Sequence, residues 1–130
     1  MNKIPQTTAL LIACILFCSC NVTQRTDLFF GMSIPGGGEV SEQQWQQFND
    51  SIVSPAFPEG YTELDASGKW LDTATRKTIS EKTKVLSFVG KKANTREQKL
   101  DSVIQFYIKR YQQQAVLRVD TKARVKFVSK

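Results

Sequence analysis

The sequence predicts an α+β fold in which two helices cover one face of an antiparallel sheet. Three observations carry that expectation: alternating apolar residues near both ends of the chain, two segments with apolar residues at three- and four-residue spacing, and a long hairpin pattern between them. At 130 residues the chain has the length of one domain. With 41% apolar and 23% charged residues it has the make-up of a chain that buries a core rather than of a disordered one.

The first strand is read from Leu28, Phe30, Met32 and Ile34, which alternate with Asp27, Gly31 and Ser33; Phe29 breaks the alternation. Pro35-Gly36-Gly37-Gly38 ends it. Ser41 with Gln44 has the spacing of a capping box, and Val40 with Trp45 that of a hydrophobic staple. Trp45, Phe48 and Ile52 then share one helical face, and Pro55 is expected to stop the helix.

After a turn framed by Pro55 and Pro58, a second strand is expected from Tyr61 to Ala66. A bulge or tight turn at Ser67-Gly68 would follow, with the extended run continuing from Lys69 to Asp72. Thr73 to Arg76 make the hairpin turn. Lys77 to Gly90 returns as a strand whose centre, Val85 to Val89, is mostly apolar, as in a central strand. Asn94 with Glu97, or Thr95 with Gln98, is expected to cap the second helix. Its stripe is Leu100, Val103, Ile104, Tyr107, Ile108 and Tyr111. In the last segment Ala115, Leu117, Val119, Ala123, Val125 and Phe127 alternate with Arg118, Asp120, Lys122, Arg124 and Lys126. The order β-α-β-β-α-β is that of the ferredoxin-like sandwich.

The N-terminal region has a different character. Ala9 to Cys18 is an apolar run of ten residues, about half of what crosses a bilayer as a helix. Lys3 precedes it and small Ser19 follows, the pattern of a cleaved secretory signal. Phe17-Cys18-Ser19-Cys20 resembles the bacterial lipobox, with Phe17 where Leu is most frequent. Leu11-Ile12-Ala13-Cys14 fits the letters better but leaves only five apolar residues for the signal, so Cys20 is the preferred site of acylation (palmitate and related chains). Residues 1–19 are thus read as a lipoprotein signal peptide, 20–25 as the lipidated cysteine and a short tether, and 26–130 as the single domain. Five spacer residues span at most roughly 17 Å, which keeps the body near the lipid. Asn21, rather than Asp, after the cysteine points to the outer membrane in a Gram-negative envelope.

The series Phe29-Phe30-Gly31, Val40-Ser41, Trp45 with Phe48, Pro55 to Gly60, Leu64-Asp65, Gly68-Lys69-Trp70 and Glu81 through Val85 resembles the bacterial domain of unknown function 3574. The likeness runs from about Asp27 to Phe127. It departs at Lys69, where Gln is frequent, and in the Lys91-Lys92 loop. Members of that family are small envelope proteins, many with a lipobox. The resemblance implies an exported, often lipid-anchored domain and supplies no catalytic residue.

The residues themselves exclude several chemistries. Histidine is absent, which removes the commonest general base and the commonest neutral metal ligand. Cys14, Cys18 and Cys20 have no second cysteine pair to complete a metal site, so no metal and no cofactor is expected. Glu39 and Glu42 place negative charge after the glycine run, which therefore reads as a turn and not a phosphate cradle. Glu63, Asp65, Asp72 and Glu81 fall on the hairpin and read as solvated carboxylates. Trp45 is assigned to the core. Trp70 lies beside a turn, as a lid on the core or as an exposed contact aromatic.

Charge is unevenly distributed. Cys20 to Asp65 holds one base and seven acids; Ala66 to Lys130 holds sixteen bases and five acids. Arg118, Lys122, Arg124 and Lys126 are expected to form a basic stripe on the open sheet face, suited to anionic lipid, an acidic protein partner or a second copy in a homodimer. Nucleic acid is not expected, because the polar side of the last strand carries no stacking aromatics. The reading is an exported, membrane-anchored envelope lipoprotein that acts as a binding or structural module. The alternative is a small non-metallo hydrolase or lyase with its site in the groove between helices and sheet.

Overall fold

The computed structural model describes residues 22–130; the segments read as signal peptide and lipobox, with Cys14 and Cys20, lie outside the described residues. Strand β1 (Thr23–Gly31) leads through a glycine turn to helix α1 (Glu42–Phe48). Strands β2 (Thr62–Asp72) and β3 (Lys77–Lys91) form the long hairpin, followed by helix α2 (Asn94–Arg110) and strand β4 (Leu117–Lys122). The four-stranded sheet has the order β2-β3-β1-β4 with every neighbouring pair antiparallel. This is the expected ferredoxin-like α+β arrangement. Strand β1 begins at Thr23, so the last three residues read as tether belong to the sheet.

The core lies between the sheet and the helices. Leu28 and Phe30 from β1, Leu86 and Phe88 from β3, Trp45 and Phe48 from α1, and Leu100, Val103 and Tyr107 from α2 are all buried. Phe30 is its centre: its ring meets those of Trp45, Phe48 and Tyr107 edge-on at 5.4, 5.7 and 4.8 Å. Such geometry sets positive ring edges against negative faces. The Tyr107 hydroxyl, pushed to a higher pKa by burial, donates to the Gly31 carbonyl at 2.8 Å and so satisfies a polar atom inside the core.

Local chemistry places α1 as expected. Ser41 accepts from the Gln44 amide while the Gln44 side chain accepts from the Ser41 amide, closing the capping box. Past Phe48 the backbone widens into a π turn, Asn49–Val53, and then a short helical turn, Ser54–Ala56, that contains Pro55. The helix therefore runs through the proline expected to end it. The widened turn, with the Ser54 amide bonded to the Asn49 carbonyl, precedes a residue that has no amide to donate. The extra residue also shifts the phase, so Val53 is fully buried and Ile52 only packs against the core margin.

Three further expectations are corrected. The β2–β3 register is regular from Thr62↔Ser87 to Asp72↔Lys77, with Gly68 opposite Glu81 and no bulge. Helix α2 has no side-chain cap: Ala93 takes the extended cap position, which puts Asn94 and Thr95 already inside the first turn. Strand β4 faces the opposite way from the arrangement its apolar alternation suggested. Arg118 and Asp120 stand opposite Leu28 and Thr26 on the helix side, while Leu117 and Val119 are exposed on the open side. The reason is α2, which presents Glu97 and Asp101 to Arg118. On the open face, Leu117, Phe29, Val85 and Leu64 consequently align in one row across all four strands.

Candidate functional site

A cleft of about 600 Å³ opens between the N-terminal end of α1 and the β2–β3 hairpin. Alternation places Lys84 in phase with Leu86 and Phe88, so a lysine projects from the core face of β3. Its side chain is 9% exposed. The ammonium lies 2.6 Å from Asp65 Oδ1, 3.0 Å from Glu42 Oε2 and 3.7 Å from Glu63 Oε1. The Asp65 carboxylate, followed by that of Glu42, pushes the Lys84 pKa well up, against burial, which acts to lower it. Lys84 is therefore a fixed cation.

Glu63, outside the cleft lining, joins Lys84 to the core. One carboxylate oxygen accepts from Trp45 Nε1 and the other from Asn49 Nδ2, both at 2.9 Å. The indole of the core thus positions the carboxylate of the site, and α1, β2 and β3 are tied by one network. Asn49 Oδ1 is buried and makes no hydrogen bond among the described residues. At the mouth, Glu39 pairs with Lys82 at 3.5 Å. Asp65 and Glu42 are 83% and 77% exposed, so each presents an oxygen to solvent while holding Lys84.

Other charged residues divide into structural and free groups. Arg96 is buried and donates to Thr26 Oγ1 at 3.2 Å and to the Phe88 carbonyl at 3.3 Å. Thr26 donates onward to Asp120 at 2.6 Å, and Asp120 holds Arg118. Burial raises the Asp120 pKa, but the Thr26 hydroxyl and the Arg118 guanidinium outweigh it and leave the group below its ordinary value. A Cβ at Gly90 would sit 3.2 Å from Arg96 Nε, so glycine leaves room for the guanidinium here.

The proposed basic stripe is thereby divided. Arg118 is on the helix face, bonded to Glu97, Asp101 and Asp120. Lys122 ends β4, and Arg124 and Lys126 follow it outside any strand. Trp70 is 48% exposed on the open side of the hairpin, opposite Ile79, and is a surface aromatic rather than a lid. Of the hairpin carboxylates read as solvated, Glu63 and Asp65 converge on Lys84. Asp72 instead closes the hairpin turn through Ala74 and Thr75, and Glu81 accepts from the Ser33 amide. Lys84 was not singled out from sequence, and Glu42 was read only as negative charge after the glycine run. The available signal was a lysine in register with core residues, facing two acids spaced i, i+2 on the adjacent strand.

Among the described residues no group of three His, Cys, Asp or Glu is placed to hold a metal ion, and no helix is long and apolar enough to cross a membrane. The family model described as "Protein of unknown function (DUF3574)" matches residues 25–127. The chain belongs to this family. No curated protein matches the sequence. Among solved structures, the DUF3574 domain is similar to a phage SAM lyase in complex with S-methyl-5'-thioadenosine, at 9% identity and a TM-score of 0.57. That similarity covers 78% of this chain and 82% of the phage protein, and at such identity it is a likeness of fold.

Proposed function

We propose that this DUF3574 domain is an exported, lipid-anchored envelope module that binds a small cationic ligand in the cleft beside Lys84. The carrying observation is the charge of that cleft: among its lining residues Glu39, Glu42 and Asp65 outnumber Lys82 and Lys84, and Glu63 also contacts Lys84. A lysine held protonated by carboxylates serves neither as nucleophile nor as general base. Tyr107, buried and bonded to the Gly31 carbonyl, is equally unavailable as a base. Recognition remains: Asp65 and Glu42 accept from an ammonium or other cation, and Lys84 neutralises the site when it is empty. The test is thermal shift and calorimetric titration with diamines, amino-acid amides and sulfonium compounds against anionic analogues. Occupancy at one hundred times Kd adds about 2.7 kcal/mol to stability. Cations should stabilise the wild type and not E42Q/D65N; stabilisation by anions instead would refute the reading. For the anchor, palmitate incorporation in cells should be abolished by Cys20→Ala.

The fold likeness favours one second reading, a lyase acting on a sulfonium substrate. An acidic cleft suits a sulfonium cation, and a solvent-facing carboxylate would be its proton acceptor. Incubation with SAM and chromatography for S-methyl-5'-thioadenosine decides it; no release above the protein-free blank removes this reading.

A further inference from the structure

One edge of the molecule gathers unpaired positive charge and exposed apolar side chains at the point where the N-terminal segment enters the fold. The register sets Lys91 opposite Thr23 and Lys122 opposite Gln24, on the two strands that flank the start of β1. The Lys92 amide donates to the Val22 carbonyl, and the Ala123 amide to the Thr23 carbonyl, both at 3.0 Å. Arg124 shares a surface recess with Val22, and Val125 and Phe127 line a second one with Thr23 and Lys91. Among the described residues none of Lys91, Lys92, Lys122, Arg124 and Lys126 pairs with a carboxylate, in contrast to Lys82, Lys84, Arg96 and Arg118. Residues 1–21 contain no acid that could neutralise them. Beside these bases Phe127 is 95% exposed and Val128 85% exposed.

We propose that this edge is a bilayer-contact surface, in which the five bases bind the phosphates of anionic phospholipids while Phe127 and Val128 enter the headgroup region. Two features of the molecule select a bilayer over an acidic protein. The bases surround the chain's entry point, and Cys20 lies three residues before Thr23, within about 10 Å of the edge when extended. An acyl group there would hold this edge, and no other, against the membrane. Basic residues beside an interfacial aromatic are the composition of a second membrane signal. The inference takes support from the anchor reading but is tested without it.

The experiment uses residues 21–130 without acylation, which contain the four strands, two helices and core residues of the described structure. Partitioning is measured by flotation with vesicles of phosphatidylcholine alone and of phosphatidylcholine mixed with phosphatidylglycerol. Binding should require phosphatidylglycerol and weaken as salt rises. Each base is worth about fivefold near an anionic surface, so K122Q/R124Q/K126Q should reduce partitioning about a hundredfold. Phe127→Ser should reduce it about tenfold. Both variants change exposed residues outside the core, and unchanged thermal unfolding verifies that they are folded. No binding, equal binding to both vesicle types, or a triple variant that partitions like the wild type overturns the proposal. Should Cys20→Ala leave palmitate incorporation in cells unchanged, the anchor reading fails while the vesicle result stands.

Discussion

Replacing Glu63 by leucine should destabilise the domain more than replacing Lys84 by methionine, although Lys84 is the buried charge at the centre of the cleft. Removing the Glu63 carboxylate leaves Trp45 Nε1 and Asn49 Nδ2 without partners, and both side chains are almost wholly buried. An orphaned buried donor costs about 1–3 kcal/mol, so Glu63→Leu should cost about 3 kcal/mol in all. Lys84→Met keeps most of the buried stem. The carboxylates it releases at Asp65 and Glu42 are largely exposed and rehydrate, and Glu63 retains its two other donors. Exposed pairs contribute about 0–1 kcal/mol, and the lysine's own desolvation penalty is recovered, which leaves a net cost of about 1 kcal/mol. At about 4 °C per kcal/mol these are Tm losses of about 12 °C and about 4 °C. Urea unfolding followed by tryptophan fluorescence measures both, with an unchanged m-value as the check on two-state behaviour. If Lys84→Met costs as much as Glu63→Leu, the assignment of Glu63 as the residue that joins core and cleft is wrong.

Two other outcomes follow from particular contacts. A Cβ at Gly31 would lie 2.7 Å from Glu81 Oε1, so Gly31→Ala should displace that carboxylate from the Ser33 amide and cost about 1 kcal/mol. In an E81A background the penalty should vanish, and a double-mutant cycle detects that coupling. The pH dependence has two limbs. Lys84 has a raised pKa in the folded state, so its contribution is complete below the ordinary lysine value of about 10.4 and is lost as pH rises beyond it. The Tm difference between wild type and Lys84→Met should therefore shrink in alkaline buffer. Asp72 is lowered by the Thr75 hydroxyl, then by the Ala74 and Thr75 amides. Its contribution holds above about pH 3.9 and disappears as pH falls through the folded value, so Asp72→Asn should converge on wild type only in acid.

The order of elements, the capping box at Ser41 and the hairpin turn at Thr73–Arg76 were legible because each rests on contacts within a few residues. The stripe of α2 was legible for the same reason: Leu100, Val103 and Tyr107 are buried along it, and Tyr111 is buried at its C-cap. The Ser67-Gly68 bulge was a misreading of the same local kind, since glycine in a strand signals a bulge only when the partner strand lacks an in-register residue, and Glu81 supplies one. The site was harder to see. Glu42, Glu63, Asp65 and Lys84 come from three elements, and no spacing along the chain brings them together.

Composition and periodicity by themselves determined the α+β class, the strand and helix order, and a body without histidine in which the bases fall in the second half. Tertiary packing alone decided which side of β4 meets the helices. Alternation specifies two faces but not their direction, and here Glu97 and Asp101 on α2 drew Arg118 inward and left Leu117 and Val119 on the open face. It likewise decided that Lys84 would be clamped rather than solvated, because charge placement depends on which strands become neighbours. That choice is made by long-range pairing and burial, which local sequence does not encode.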